Sequence, residues 1–493
     1  MKISHFEKDR FEKRKFTTLV IVTCAVFSLF FVLPADFELS SAKISSKQPV
    51  RRVNVPYWAD GSPFPSYSIF WFGKVTPTSN YADVRMIYYD SQLEVTLHII
   101  DRLLQYDTSP SPSDLTNWDS VTLYLITNGN SNPTLDKNAY RLDAQLNWWE
   151  TREDWQAGYH GDGSTWVADS FPFTTETGWR GDSLNDNSDD KGWTITFTIP
   201  FSSLGLSSAP QKGTVWGLAM AVHDRDDASA PVLPDTVWPE QMDANNPSTW
   251  GNLVYGIPGY NRPLALPSGI TTIRNGLNGS DVVDGQVGGN TTCGEGLDHW
   301  TEWGETNYAG YEQINIQNQW DISDYPCFSK FFITFPLNTL PAGKVIISAS
   351  LTMHLFGNSG GGEWGEPPDS YIQALTVGED WDESTLTWNN APLARENISG
   401  TWVKPMDKPL EWPGIPYQWD VSRAVAEAYL SGEPLRLALY SADGERHTGK
   451  YFSSSDTGDW NAVARPSLDV VWGTLCDSLN TTCTFNYLPI TIR

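Results

Sequence analysis

Hydrophobic and polar positions alternate along much of this chain. Leu93, Val95, Leu97 and Ile99 are separated by Glu94, Thr96 and His98. The same period of two runs through Val121, Leu123 and Leu125, and through Trp193, Ile195, Phe197 and Ile199. Successive side chains of a strand point to opposite faces, so the pattern predicts strands with one apolar and one polar face. Antiparallel sheets buried on one face fit it. Val215-Trp-Gly-Leu-Ala-Met-Ala-Val222 is apolar throughout and predicts a more fully buried strand. One short helix is predicted late in the chain. Asp420 can cap it, Val421, Ala424, Val425, Ala428 and Tyr429 share one face, and Gly432 ends it. The predicted fold class is all-β: two antiparallel β-sandwich, jelly-roll-like domains in tandem, with one short helix in the second.

Punctuation along the chain sets the expected boundaries. Residues 1–15 are rich in Lys and Arg, Leu19 to Leu33 is almost entirely apolar, and Ser40-Ser-Ala42 supplies small residues. This is the layout of a secretory signal peptide over 1–42, with an uncleaved membrane anchor as the competing reading. A first sandwich is expected over 54–256 and a second over 268–473. Between them, 257–267 holds three prolines and one glycine and reads as a linker. Two independently folding halves are the expectation from that linker. Residues 474–493 form a separate C-terminal tail.

Composition narrows the partner. The 493 residues carry a formal charge of −26, which argues against nucleic acid or an anionic membrane. Beyond the signal segment, no membrane contact is expected, and the protein is expected to be a monomer. Tryptophan is abundant, 23 residues beside 20 Tyr and 21 Phe, so some rings are available beyond those a sandwich core needs. Of five cysteines, Cys24 lies in the apolar leader and four remain. Local pairing, Cys293 with Cys327 and Cys476 with Cys483, is the simplest of three connectivities. It suits an oxidising, extracellular compartment.

Two sets of motifs resemble known families. The stretch Trp381-Asp-Glu-Ser-Thr-Leu-Thr-Trp-Asn-Asn-Ala-Pro392 has Trp381, Glu383, Thr387, Trp388, Asn389 and Pro392 at characteristic spacing. Around it, in order, stand Phe331-Phe-Ile-Thr-Phe-Pro-Leu-Asn-Thr-Leu-Pro341, Trp419-Asp-Val421, Phe452-Ser-Ser-Ser455 and Arg465-Pro-Ser-Leu-Asp-Val470. This set resembles the secreted bacterial β-sandwich domains called DNRLRE domains, which overlap carbohydrate-binding module family 96. In the first half, Tyr81-Ala-Asp-Val-Arg85, Trp118-Asp-Ser-Val121, Ile199-Pro-Phe-Ser-Ser-Leu-Gly205, Trp216-Gly-Leu218 and Val222-His-Asp-Arg-Asp-Asp227 resemble family 9 carbohydrate-binding modules and related DOMON-like sandwiches. The first resemblance implies a sandwich fold, and the second a sugar-binding sandwich that often holds a structural calcium ion.

Candidate chemistry follows from residue types. Sugar recognition needs flat aromatics for the ring face and amides or carboxylates for the hydroxyls. Trp148, Trp149, Trp155, Trp166 and Trp179 cluster in a long polar segment, and Trp71 is a further candidate. Asp143, Gln145, Glu150 and Arg152 could supply the polar partners. If those rings prove to be core, the search moves to Trp364, His447 and Trp460. Asp224, Asp226 and Asp227 offer oxygen ligands in a turn, the expected place for structural calcium. A second acidic group runs from Asp182 to Asp190. The spacings Cys-x-x-Cys and His-Glu-x-x-His are absent, and no grouped nucleophile, base and oxyanion donor recommends an enzyme. The expected function is a secreted, non-catalytic protein that binds a polysaccharide or cell-wall glycan. The alternatives are a structural or adhesive surface protein that binds no sugar, and an accessory to a polysaccharide-degrading enzyme.

Overall fold

The computed structural model describes residues 50–59, 66–129, 131, 133–318, 321–359, 368–406, 410–443 and 449–476. The leader 1–42, Cys483, Trp364 and His447 lie outside them. Among the described residues no helix is long and apolar enough to cross a membrane. The described strands form three sheets, of thirteen, five and six strands, and pair almost entirely antiparallel. The all-β expectation holds. The helix runs Ser422–Ser431; Asp420 Oδ1 accepts the Ser422 N–H at 3.0 Å, and Gly432 closes the far end at φ 74°. Only a left-handed residue can turn the chain there, which is why glycine ends the helix.

The five-stranded sheet is the key to the architecture. It is built from Ser68–Thr76, Ser79–Tyr88, Gln92–Ile100, Gly192–Pro200 and Thr174–Arg180, in that order. Opposite residues share a face. Phe70 pairs with Val84, Val84 with Leu97, and Leu97 with Ile195, and this apolar face packs into the first-half core. Trp71 pairs with Asp83, Asp83 with His98, and Ile69 with Arg85 on the other face. Alternation predicts that this polar face meets water. Instead Asp83, Arg85 and His98 are fully buried. The second half covers them.

The thirteen-stranded sheet spans both halves. Five of its strands, from Val283–Gly288 to Ala394–Val403, come from the second half, and the rest from the first. Arg52–Val55 joins them, lying parallel to Gly251–Tyr255 and bridging to Ala394–Val403 at Arg52 and Glu396. The six-stranded sheet, centred on Val345–Asn358 and Ser467–Leu475, closes the second sandwich over its own apolar core.

Side-chain amides complete the seam where regular pairing fails. Asn397 and Asn54 exchange bonds, with the Asn54 N–H at 2.8 Å from Asn397 Oδ1 and Asn397 Nδ2 at 2.9 Å from the Asn54 carbonyl. Ser68–Thr76 is an edge strand with outward backbone groups that need partners. Gln373 Oε1 takes the Ile69 N–H at 3.1 Å. Asn389 takes the Val75 N–H at 2.8 Å and donates to the Val75 carbonyl at 2.9 Å. The seam joins the two halves: the described residues from 50 to 476 fall in one compact unit, and one hydrophobic cluster draws on both halves.

The Cys293–Cys327 disulfide is present, with S–S at 2.08 Å. Its loop carries Trp303, whose Nε1 donates to the Pro326 carbonyl at 2.9 Å and whose ring lies 4.8 Å from Trp388. The expected partner of Cys476 lies outside the described residues.

Calorimetry should therefore show one transition for both halves. Asn389→Ala should lower it as a whole, by about 2–4 kcal/mol, because a buried donor and acceptor on Val75 lose their partner together. Two resolved transitions, with only one moved by the substitution, would show that the halves unfold separately.

Candidate functional site

The structure divides the candidate tryptophans. Trp71 is 2 % exposed and sits in the seam, 5.8 Å from the Tyr440 ring and 6.3 Å from Phe332. Trp155 is also buried, its Nε1 donating to the Asp107 carbonyl at 2.8 Å. Neither ring can present a face to a ligand, so both are corrected to core. Trp166 is half-buried and stacks on Trp250, planes 4° apart, in a separate small cluster with Tyr124.

Trp148, Trp149 and Trp179 come together. Trp148 and Trp149 are 52 % and 73 % exposed, with ring centroids 4.1 Å apart. Trp179 meets Trp148 edge-on at 6.2 Å. Trp179 is only half-buried because it sits on the edge strand Thr174–Arg180, opposite the fully buried Trp193. Trp148 and Trp149 follow Ala139–Gln145, where the chain leaves the sheet.

The polar residues expected to meet sugar instead hold this loop. Glu150 Oε2 accepts the N–H groups of Trp148 and Trp149 at 3.0 and 3.1 Å, and Oε1 accepts the Tyr106 hydroxyl at 3.0 Å. Arg152 bonds the Asn147 side chain and, at 2.9 Å, Thr175 Oγ1. Burial pushes its guanidinium down to about 10. Asp143 is buried and takes two bonds from Arg141, and Gln145 bonds Asp107 and Leu115 backbone. The indoles thus stand on a braced loop.

The acidic turn resolves differently from its sequence. Asp224 and Asp226 gather with Asp101, their carboxylate oxygens within 4.8 Å of one another. Asp227 does not join them; it is exposed and accepts bonds from Ser229 at 2.7 and 2.8 Å. It is removed from the ligand set. Asp101 follows Gln92–Ile100, and Asp224 follows Val215–His223, so the ends of two strands from two sheets meet here. Asp119, fully buried just before Ser120–Ile126, lies close by and is fixed by the N–H groups of Gln105 and Arg225. Sequence reading missed Asp101 and Asp119, although each is an acid at the end of an alternating strand. The Asp182–Asp190 group braces backbone instead; Asn185 accepts the Tyr106 N–H and Asp190 the Leu104 N–H.

These residues fit a hard cation. All donors are oxygens, and Asp224 Oδ1 is buried without a hydrogen-bond partner. Burial, then the Asp226 charge, pushes the Asp224 carboxyl up to about 7. Burial, then neighbouring aspartates, likewise raises Asp101 and Asp119 well above the carboxylate range. So many buried acids remain ionised only beside positive charge.

Comparison with known proteins bears on both halves. Residues 299–464 match carbohydrate-binding module family 96. The matched region contains Trp381–Pro392, and the match supports carbohydrate binding. Among solved structures, a family 9 carbohydrate-binding module from Caldicellulosiruptor kristjanssonii in complex with cellotriose is 19 % identical. It covers 44 % of this chain and 100 % of its own, with TM-score 0.30. A putative carbohydrate-binding protein from Bacteroides uniformis is 10 % identical, over 42 % of this chain and 99 % of its own, with TM-score 0.32. No curated protein matches. Family 96, named from the sequence, is the family whose model matches residues 299–464.

A carboxyl raised in the folded state holds its proton more tightly there than in the unfolded chain. In the metal-free protein, the Asp224 contribution is therefore most favourable at acid pH and is lost as pH rises from about 4 to about 7. A calcium ion held by these carboxylates would compete with those protons. Excess calcium should raise the melting temperature more at about pH 8 than at about pH 5, and Asp224→Asn should shrink the gain. A calcium response equal at both pH values would count against the site.

Proposed function

We propose that the protein is an extracellular carbohydrate-binding protein that holds a polysaccharide without cleaving it. The observation that carries this is the exposed Trp148–Trp149 pair, on a loop braced by Glu150 and Arg152. Exposed rings of this size are unfavourable in water unless something covers them. A pyranose face suits them, since stacking buries its C–H groups and leaves its hydroxyls wet. Bracing lowers the ordering needed on binding. The family 96 match points to the same ligand class. The reading is of binding alone because Glu150 and Arg152, beside the pair in the chain, are committed to bracing the loop.

A calcium ion held by Asp101, Asp224 and Asp226 is part of the proposal. It would tie the end of one sheet to the end of the other. Residence outside the cell is supported by the Cys293–Cys327 disulfide and the leader-like N-terminus.

Affinity electrophoresis through gels containing soluble polysaccharides tests the reading. Trp148→Ala/Trp149→Ala should keep its circular dichroism and melting temperature yet lose retardation. Each ring is worth about 1–3 kcal/mol. An intact protein that no polysaccharide retards would favour the adhesive reading.

A further inference from the structure

Trp148 and Trp149 are not alone. The other exposed tryptophans among the described residues are Trp412 and Trp460, at 51 % and 68 %. They too are in contact, centroids 4.9 Å apart and planes at 84°. Every remaining described tryptophan is buried or half-buried. Among the described residues, indoles thus stand in water at two places, as a pair each time, one pair in each half. The second pair lies inside the family 96 match.

The second pair is also held from behind. Trp460 lies in the 3-10 segment Asp459–Ala464. Arg465 fixes that segment, donating to the Thr457 carbonyl at 2.7 Å, the Asn275 carbonyl at 3.2 Å and Asp459 Oδ1 at 2.7 Å. Gly458 makes room, since a Cβ there would come within 2.9 Å of Trp460 Cδ1. Trp412 sits in a turn closed by the Gly414 N–H on the Glu411 carbonyl at 2.8 Å. Its ring lies 6.4 Å from Phe356, inclined by 30°, and Phe356 reaches Tyr451 at 6.3 Å.

Charge selects among ligands. Asp459 is exposed at the platform, Glu411 precedes Trp412, and Glu312 Oε1 would lie 3.8 Å from a Cβ at Gly458. The guanidinium beside them, Arg465, is paired with Asp459. A polyanion would meet carboxylates, within a chain of net charge −26.

We infer that Trp412 and Trp460 form a second glycan-binding surface for an uncharged pyranose polymer, so that one chain grips polysaccharide at two separate platforms. The inference rests on the carbohydrate-binding reading above. Two linked sites raise the retention of a polymer beyond that of either alone.

The intact protein and three variants decide it: Trp148→Ala/Trp149→Ala, Trp412→Ala/Trp460→Ala, and all four together. Gels containing hydroxyethyl cellulose, glucomannan or sodium alginate supply the probes, with light scattering for oligomeric state. On an uncharged polymer the Trp412/Trp460 variant should bind about tenfold or more weakly, with its melting temperature kept. The fourfold variant should lose retardation altogether. Wild-type retardation in the Trp412/Trp460 variant, with loss in the other pair, would overturn the second platform alone. Preference for alginate would overturn the ligand class. A dimer that dissociates in the Trp412/Trp460 variant would show that a second copy covers the rings. No retardation of any variant on any polymer would overturn the carbohydrate-binding reading itself. Should the double variant misfold, Trp460→Ala alone, on the exposed turn, carries the same test.

Discussion

An ammonium group enclosed by four aromatic rings sits where the two halves of this protein meet. Lys330 Nζ lies 3.6 Å from the Trp388 ring centroid, 4.4 Å from Trp71, 4.7 Å from Tyr81 and 5.3 Å from Tyr440. Trp71 and Tyr81 come from the first half, Lys330, Trp388 and Tyr440 from the second. Lys330 donates to the Tyr81 hydroxyl at 2.8 Å, and Tyr81 donates to Asp83 at 2.6 Å. Tyr440 and Asn318 bring two more donors to Asp83, at 2.8 and 2.9 Å. Burial drives the Lys330 amine well below its ordinary value, and the Asp83 charge opposes the shift. Ring faces offset part of the lost hydration of the cation, and the hydroxyls pair the carboxylate. Separating the halves would expose Trp71 and Tyr81 to water and strip Asp83 of the two donors that the second half supplies.

That constraint explains the stretch Trp381–Pro392. Trp388 closes one side of the cage, and the next residue, Asn389, clamps the Val75 backbone of the first half. Glu383 accepts the Gly310 N–H at 2.9 Å, while Asn307 holds the Glu383 and Leu386 carbonyls. In this chain the motif works as a docking surface for the neighbouring sandwich. A structural role follows directly from its residues, but its partner could not, because Val75 and Asn389 are 314 positions apart.

Legibility in the sequence follows range. The period-two alternation gave Leu93, Val95, Leu97 and Ile99 correctly to a core, and the helix from Asp420 to Gly432 was readable from its ends. The polar rows were misread. Asp83 and His98 look like a wet face because polar residues usually are one, and only the distant second half shows otherwise. Trp71 misled for the same reason, and Trp155 because a polar neighbourhood in sequence became its hydrogen-bonded bed. Trp148 and Trp149 are exposed, as expected of rings that stand where a strand has just ended. Asp101 and Asp119 were out of reach of a reading that looked for acids close together in the chain; strands from two sheets assemble that group.

A buried seam also changes what the two proposed binding surfaces can do. Modules on a flexible linker choose their separation, and the linker's length sets the effective concentration of the second contact. Here the described residues from 50 to 476 fall in one compact unit, so both indole pairs are carried by a single body. A rigid carrier loses less conformational freedom when its second surface engages, but it tolerates only ligands whose spacing and direction suit it. A soluble, flexible polymer can adapt to such a carrier, and an ordered solid must match it. If both surfaces bind as proposed, selectivity between loose and crystalline forms of one polysaccharide would arise in the Lys330 cage and the amide seam, which fix the body that carries them.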